Sequence, residues 1–215
     1  MKKSKADLKF TLQRLYDCRN LEISNLWQRS VFLSVFLILT FSAYGYLVLD
    51  FITESAFEKK GLDKKIICST ICIFIISIGM FFSVVWILMA KGSKAWYEVY
   101  ETAIAKFEYD HWKKLKIPNS NIMGNMVLQP SRKSSNVFST KAGAFSPSRI
   151  NIAIGQISLI IWILIDLIHY IYNFIMIRES ENYYFFILLN FALLISSIAI
   201  TLFLICSKYV KSTFH

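Results

Sequence analysis

The stretch NIAIGQISLIIWILIDLIHYIYNFIMI, residues 151–177, decides the class of this protein, because it is apolar over a length that crosses a bilayer. Three further apolar stretches of similar length lie at 31–52, 66–90 and 184–206. A helix needs about 20 such residues to span the hydrocarbon core. A soluble domain of 215 residues would not carry four of them. The sequence therefore predicts an all-α membrane protein with four transmembrane helices.

The distribution of basic residues predicts the orientation of these spans. Of the 24 Lys and Arg residues, 19 lie before the first span, between the second and third, or after the fourth. The two short loops within the pairs hold the other five. Because cytoplasmic segments carry the excess of Lys and Arg, we expect both termini and the central segment to be cytoplasmic.

Glycine and proline placement predicts two helical hairpins. No proline occurs before Pro118, so the first two spans are free to continue as helices into the cytosol, as a long antiparallel hairpin. The Ser- and Asn-rich segment after Pro118 predicts a flexible linker to a second, short-looped hairpin. The predicted order is a cytoplasmic helix, two spans, a cytoplasmic helix, a linker, two spans and a tail: 1–30, 31–52, 66–90, 91–117, 118–149, 151–177, 184–206 and 207–215.

The register of the two cytoplasmic extensions predicts cross-helix ion pairs. With Arg29 level with Lys91, Arg19 falls near Glu101 and Glu22 near Lys94. Surface pairs of this kind contribute only about 0–1 kcal/mol each. A packed hairpin core is the simplest interpretation of the aromatic residues on this face. The residues predicted to support assembly are Arg19, Glu22, Trp27, Arg29, Lys94, Trp96, Glu98 and Glu101.

Asp166 is the outstanding polar residue within the spans. His169, Tyr170 and Asn173 follow it at helical spacing, so the four share one stripe. An ionisable group at this depth costs several kcal/mol unless it is paired or faces water. Three interpretations stay open: a hydrogen bond to a neighbouring helix, the lining of a water-filled cavity, or a proton relay. The predicted intramembrane polar or pore-lining residues are Asp166, His169, Asn173 and Gln156.

Signatures of enzymes and cofactor sites are missing from the sequence. It contains no glycine-rich phosphate loop, no nucleophile elbow and no Cys/His set with metal-ligand spacing. We therefore expect no catalytic site, no metal and no cofactor.

Two segments that flank the first pair of spans resemble a known family. They are RNLEISNLWQRS at 19–30 and GSKAWYEVYE at 92–101. Together they resemble the RipA-like octameric membrane protein family, which includes small membrane accessory proteins of type VI-B CRISPR systems. The resemblance covers roughly residues 10–110. It implies a bacterial inner-membrane homo-oligomer, an eight-fold ring around a central opening. In the CRISPR-associated members it implies a pore that supports antiviral defence by perturbing the membrane.

One motif of those accessory proteins is altered here. They carry Arg-x4–6-His, as HEPN ribonucleases do, whereas the nearest match in this chain is Lys106-x4-His111. Lysine does not reproduce the forked guanidinium of arginine, so we expect no nuclease activity. The net charge of +10 lies mainly in the segments predicted to be cytoplasmic, as the positive-inside rule requires, so we expect no direct nucleic-acid binding either.

Two functional hypotheses follow. The first is a homo-oligomeric ring that acts as a pore or membrane-perturbing accessory in antiviral defence. The alternative is a non-conducting membrane scaffold with a role in envelope physiology, whose cytosolic hairpin docks a protein partner. Both expect membrane lipid and further copies of the chain as partners. A proton-coupled transporter is disfavoured because the two halves show no inverted repeat.

Overall fold

The computed structural model describes residues 4–57, 62–118, Ile122, 146–178 and 182–206. In these ranges the chain forms four α-helices and no strand. The helices are α1 (Lys5–Phe57), α2 (Leu62–Leu115), α3 (Pro147–Ile177) and α4 (Tyr183–Cys206). Each contains a window long and apolar enough to cross a membrane. The predicted all-α class with four membrane-spanning helices is confirmed.

Local capping explains where the long helices begin and end. At the start of α1, the Asp7 N–H donates to Ser4 Oγ at 3.2 Å, and the Ser4 N–H donates to Asp7 Oδ2 at 3.0 Å. This is a capping box. After α2, Lys116 adopts a positive φ of 58°, and the Ile117 N–H donates to the Trp112 carbonyl at 3.0 Å. That bond is typical of a Schellman C-cap, and Pro118 then prevents the helix from resuming.

The chain divides into two compact units, and α1 and α2 contribute to both. Unit 1 comprises Met1–Arg29 and Met89–Asn151. Unit 2 comprises Ser30–Leu88 and Ile152–His215.

Unit 1 is built on antiparallel contact between α1 and α2. Tyr16, early in α1, contacts Glu108, late in α2, whereas Arg29 contacts Ser93. Among the apolar residues here, Ile104 is fully buried. The antiparallel contacts agree with the predicted pairing of the two extensions. Residues 58–61, which join α1 to α2, lie outside the described residues, so the continuous hairpin stays a prediction.

Unit 2 packs around Trp162 of α3. The Trp162 ring is fully buried and stacks on Phe41 of α1, with ring centroids 4.1 Å apart. Ile76 and Met80 of α2 complete this cluster. A second cluster joins α2, α3 and α4 through Ile66, Ile177 and Phe186. Apolar side chains from all four helices therefore hold this unit together.

The predicted linker lies largely outside the described residues, as does the predicted tail at 207–215. Within 118–149, the structure describes only Pro118, Ile122 and 146–149. It places the start of α3 at Pro147, before the predicted start of the third span at 151. Proline is favoured at the first helical position, because the missing N–H would have no partner there.

Candidate functional site

The buried face of α3 in unit 2 is largely polar. It follows helical spacing through Ser158, Trp162, Asp166 and Asn173, which are between 0% and 8% exposed. We call this face, with the partly buried His169, the polar stripe. Ser158 Oγ lies 3.0 Å from Ser83 Oγ of α2. The stripe therefore faces other helices of the same chain.

His169 connects three helices. Its Nε2 lies 3.1 Å from the Tyr44 hydroxyl of α1, and its Nδ1 lies 2.9 Å from Ser69 Oγ of α2. The Tyr44 ring also meets the imidazole edge-on, with centroids 5.7 Å apart. A neutral imidazole donates through one nitrogen and accepts through the other, and a hydroxyl can serve either role. Both ring nitrogens are thus satisfied without water or ligand.

Asn173 connects α3 to α4. Its Nδ2 donates to Asn190 Oδ1 at 2.8 Å, and the Asn190 Nδ2 donates to the Phe186 carbonyl at 2.9 Å. Asn190 Nδ2 also lies 3.5 Å from Thr70 Oγ1 of α2, at the limit of a hydrogen bond. These polar contacts link α3 to α4 and bring the pair close to Thr70 of α2.

Asp166 is the acidic residue of the polar stripe, and its carboxyl group is not fully satisfied. The residue is 8% exposed, and its Oδ1 has no hydrogen-bond partner among the described residues. The same holds for the indole nitrogen of Trp162, one helical turn away, and for Asn173 Oδ1. Burying a polar atom without a hydrogen-bond partner costs free energy, so this part of the stripe carries an uncompensated desolvation cost.

Gln156 does not share this face. Its side chain is exposed, whereas its neighbour Gly155 is buried against Trp86 and Ile87 of α2. Consecutive residues on a helix point about 100° apart, which accounts for the difference. The structure therefore brings together Asp166, His169 and Asn173 but not Gln156.

The predicted pair of Arg19 and Glu101 is present in unit 1. Arg19 Nη2 and Nε lie 2.9 and 3.0 Å from Glu101 Oε1. The two side chains are 26% and 38% exposed, so the pair is partly shielded from water. The Arg29 Nη1 donates to Ser93 Oγ at 3.0 Å. Polar contacts thus fix the register of α1 against α2.

The predicted pair of Glu22 and Lys94 does not form. Lys94 Nζ lies 3.3 Å from Glu98 Oε1, four residues along the same helix, rather than pairing with Glu22. Trp96 stacks on Tyr100 with ring centroids 6.2 Å apart. Among the other predicted assembly residues, Glu22 is half-buried, while Arg29, Glu98 and Trp27 are exposed. Trp27 is 53% exposed, which leaves a large aromatic surface uncovered in the single chain.

The sequence interpretation missed a contact at the far end of unit 1. The Tyr16 hydroxyl donates to Glu108 Oε1 at 2.8 Å, and Glu108 is only 3% exposed. Burial and this hydrogen bond raise the pKa of Tyr16, which precedes the first apolar stretch, to about 12. Helical spacing in the sequence could have predicted this contact. Tyr16 precedes Arg19 by three residues, and Glu108 follows Glu101 by seven, so Tyr16 shares a helix face with Arg19 and Glu108 shares one with Glu101.

The sequence profile of the Octameric membrane protein family (8xMP) matches residues 9–172, about three quarters of the chain. The chain belongs to this family. This 8xMP protein is therefore a multi-pass, homo-oligomeric membrane protein, as the resemblance implied. No curated protein and no solved structure matches the chain significantly. Within the described ranges, no three His, Cys, Asp or Glu side chains are placed to hold a metal ion.

Proposed function

We propose that this 8xMP protein forms a ring in the bacterial cytoplasmic membrane, with both termini in the cytosol, and that the ring acts as a pore or membrane-perturbing accessory. Its role is not enzymatic. The observation that carries the proposal is Asp166, an acidic residue inside a membrane-crossing helix that retains an unpartnered carboxylate oxygen.

The physical argument rests on the cost of a charge in hydrocarbon. A carboxylate in the middle of a span is rare, and it is retained where it meets water or a partner. Asp166 shares its face with His169 and Asn173, which are already hydrogen-bonded. In the proposed conducting state, the helices around the polar stripe separate, and water enters along it. If Asp166 relays protons, it would do so through the water that enters in this conducting state.

We assign the contacts between subunits to the surface of unit 1. Trp27 is exposed there, and so are the apolar side chains of Leu21 and Val99. Large aromatic residues surrounded by charged ones are typical of protein interfaces. Arg19 and Glu101 hold the two helices in register, so that this surface is presented as one face. The remaining predicted assembly residues contribute to it: Glu22, Arg29, Lys94, Trp96 and Glu98.

Ion flux from liposomes tests the proposal. We expect protein reconstituted as an octamer to release a trapped salt gradient, and Asp166→Asn, which removes only the charge, to reduce the rate. Gln156→Ala is the matched control on the same helix, because Gln156 is exposed and off the stripe. Equal flux in Asp166→Asn and wild type would remove the lining role. Mass photometry of each sample establishes that the ring is intact.

A second candidate function is supported by a different observation. His169 and Asn173 form their hydrogen bonds within one chain, which is how polar residues hold membrane helices together. On this basis the protein is a non-conducting scaffold in envelope physiology that docks a cytosolic protein on unit 1. An intact octamer without flux would support the scaffold and refute the pore.

The antiviral role is proposed from the family resemblance alone. Plating of phage on cells that carry the gene with its genomic neighbours tests it. A lower plating efficiency than with an Asp166→Asn allele supports a defence pore, whereas equal plating of both alleles and the empty vector refutes it.

A further inference from the structure

A groove runs between α3 and α4 within unit 2. It has a volume of about 470 Å³ and is lined by Ile171 and Phe174 of α3, Ile187, Phe191 and Leu194 of α4, and Arg178 just after α3. We call it the α3–α4 groove. Its apolar walls remain open in the single chain, since Phe174 is 62% and Phe191 59% exposed.

The chemistry of the groove changes at one end. Arg178 follows directly after the apolar run 151–177, and it is the only Lys or Arg between Arg149 and Lys208. Its Cζ lies 4.6 Å from the centroid of the Phe174 ring, a cation–π contact that directs the guanidinium along the groove wall. A cation at the end of a span lies at the polar boundary of the bilayer.

We propose that the α3–α4 groove binds one membrane phospholipid, with an acyl chain along the apolar walls and the phosphate on Arg178. A phospholipid presents its phosphate at the membrane boundary and its chains along the helices. The apolar walls of the groove therefore match its chains, and the Arg178 guanidinium matches its phosphate. Arginine suits this role because its guanidinium forms paired hydrogen bonds with phosphate oxygens.

The chemistry of the groove favours a lipid over a helix of a second subunit. From Tyr170 to Arg178 the lining extends about 12 Å along α3. A lipid offers an apolar chain over this length and an anionic group beside Arg178. The exposed side chains that α3 and α4 of a second copy would present, such as Ile168 and Leu188, are apolar and offer the guanidinium no acceptor.

Native mass spectrometry of the delipidated octamer, titrated with phosphatidylethanolamine that carries one saturated and one unsaturated chain, tests the site. We expect wild type to saturate at one tightly held lipid per subunit. Arg178→Gln should weaken this binding by about tenfold or more, the effect of losing a charged hydrogen-bond donor. Arg178→Lys, which keeps the charge but not the forked guanidinium, should bind with an affinity between those of wild type and Arg178→Gln. Leu194→Trp, which fills the groove without changing charge, should also reduce it.

Arg149→Gln is the matched control, because it makes the same charge change at the exposed opposite end of α3. Equal lipid binding in Arg178→Gln and wild type would overturn the proposal, as would full binding in Leu194→Trp. Occupancy by a second copy predicts another result: the thiol of Phe191→Cys becomes protected from maleimide on octamer formation with no lipid present. That outcome would also refute the lipid site. Octamer mass and helical circular dichroism establish that each variant is folded.

Discussion

Gly79 of α2 is the position where a single methyl group should disturb unit 2 most. A Cβ at this position would clash with Trp162 Cε2 and would lie 2.6 Å from Cδ2 and Cζ2 of the same ring. Carbon atoms prefer separations of about 3.5–4.0 Å, so the ring would have to move by more than an ångström. The indole is not free to do so, because it is fully buried, stacked on Phe41 at 4.1 Å, and in edge contact with Tyr44 at 6.0 Å.

We therefore expect Gly79→Ala to destabilise the protein. Overpacking of a tight core costs about 1–3 kcal/mol. The clash involves carbons of a fully buried ring, so it belongs at the upper end of this range. Alanine recovers about 1 kcal/mol through its higher helix propensity, which leaves a net loss of roughly 2 kcal/mol. For a chain of this size, the loss corresponds to a decrease in melting temperature of about 4–8 °C. Helical circular dichroism during heating in detergent measures it.

Two further variants test whether the close approach of Gly79 to Trp162 causes this loss of stability. Gly45→Ala is the matched control, because nothing lies within 4 Å of a Cβ at that position of α1, and its melting temperature should be unchanged or slightly higher. Trp162→Leu in the Gly79→Ala background should recover part of the loss relative to the sum of the single changes, since the ring is the obstacle. A melting temperature of Gly79→Ala at or above that of wild type would refute the reasoning.

Three other changes test separate features. Because burial raises the pKa of Tyr16 to about 12 from its usual 10, the stability that Tyr16 contributes should be fully present below pH 10 and be lost as the pH rises from 10 to 12; denaturant melts should show a smaller decrease over this window for Tyr16→Phe. His169→Phe with Tyr44→Phe should give a double-mutant coupling energy of about 0.6 kcal/mol, typical of a hydrogen bond in a membrane, and additive melting shifts would contradict the contact. Lys116→Gly should raise stability by about 1 kcal/mol, since glycine adopts the positive φ of 58° without strain, while an unchanged melting temperature would contradict the Schellman cap.

Several features of the fold could be predicted from the sequence because each depends only on the helical repeat or on the length of a helical segment. Helical spacing sufficed to put Asp166, His169 and Asn173 on a common face. The equal lengths of the two predicted extensions beyond the spans sufficed to pair Arg19 with Glu101, which the structure places 2.9 Å apart. Both inferences need only helix geometry and the assumption that two helices lie antiparallel.

The remaining features depend on which helix faces which, and a single sequence does not give that. Lys94 was assigned to Glu22, but Glu98 lies one turn away on the same helix and competes without needing a second element. The seating of Trp162 over Gly79 joins α2 and α3, and no local pattern pairs two such distant residues. Likewise, Tyr44 and Ser69 became visible as partners of His169 only when three helices were placed together.

Because the polar stripe faces the interior of the subunit, it is not available for recognition between subunits of the octamer. Exposed side chains on α3 and α4, such as Ile168 and Leu188, are apolar, and lipid tails satisfy them as well as another subunit does. The apolar faces of α3 and α4 therefore distinguish poorly between lipid and another subunit. Charged and aromatic residues of unit 1, including Trp27 and Glu98, are exposed in the single chain. Their burial against a matching surface would give both a hydrophobic gain and a requirement for complementary charge. Specificity of assembly should therefore reside in unit 1, and Trp27→Ala should weaken the octamer more than Leu188→Ala, although both remove a large exposed apolar side chain.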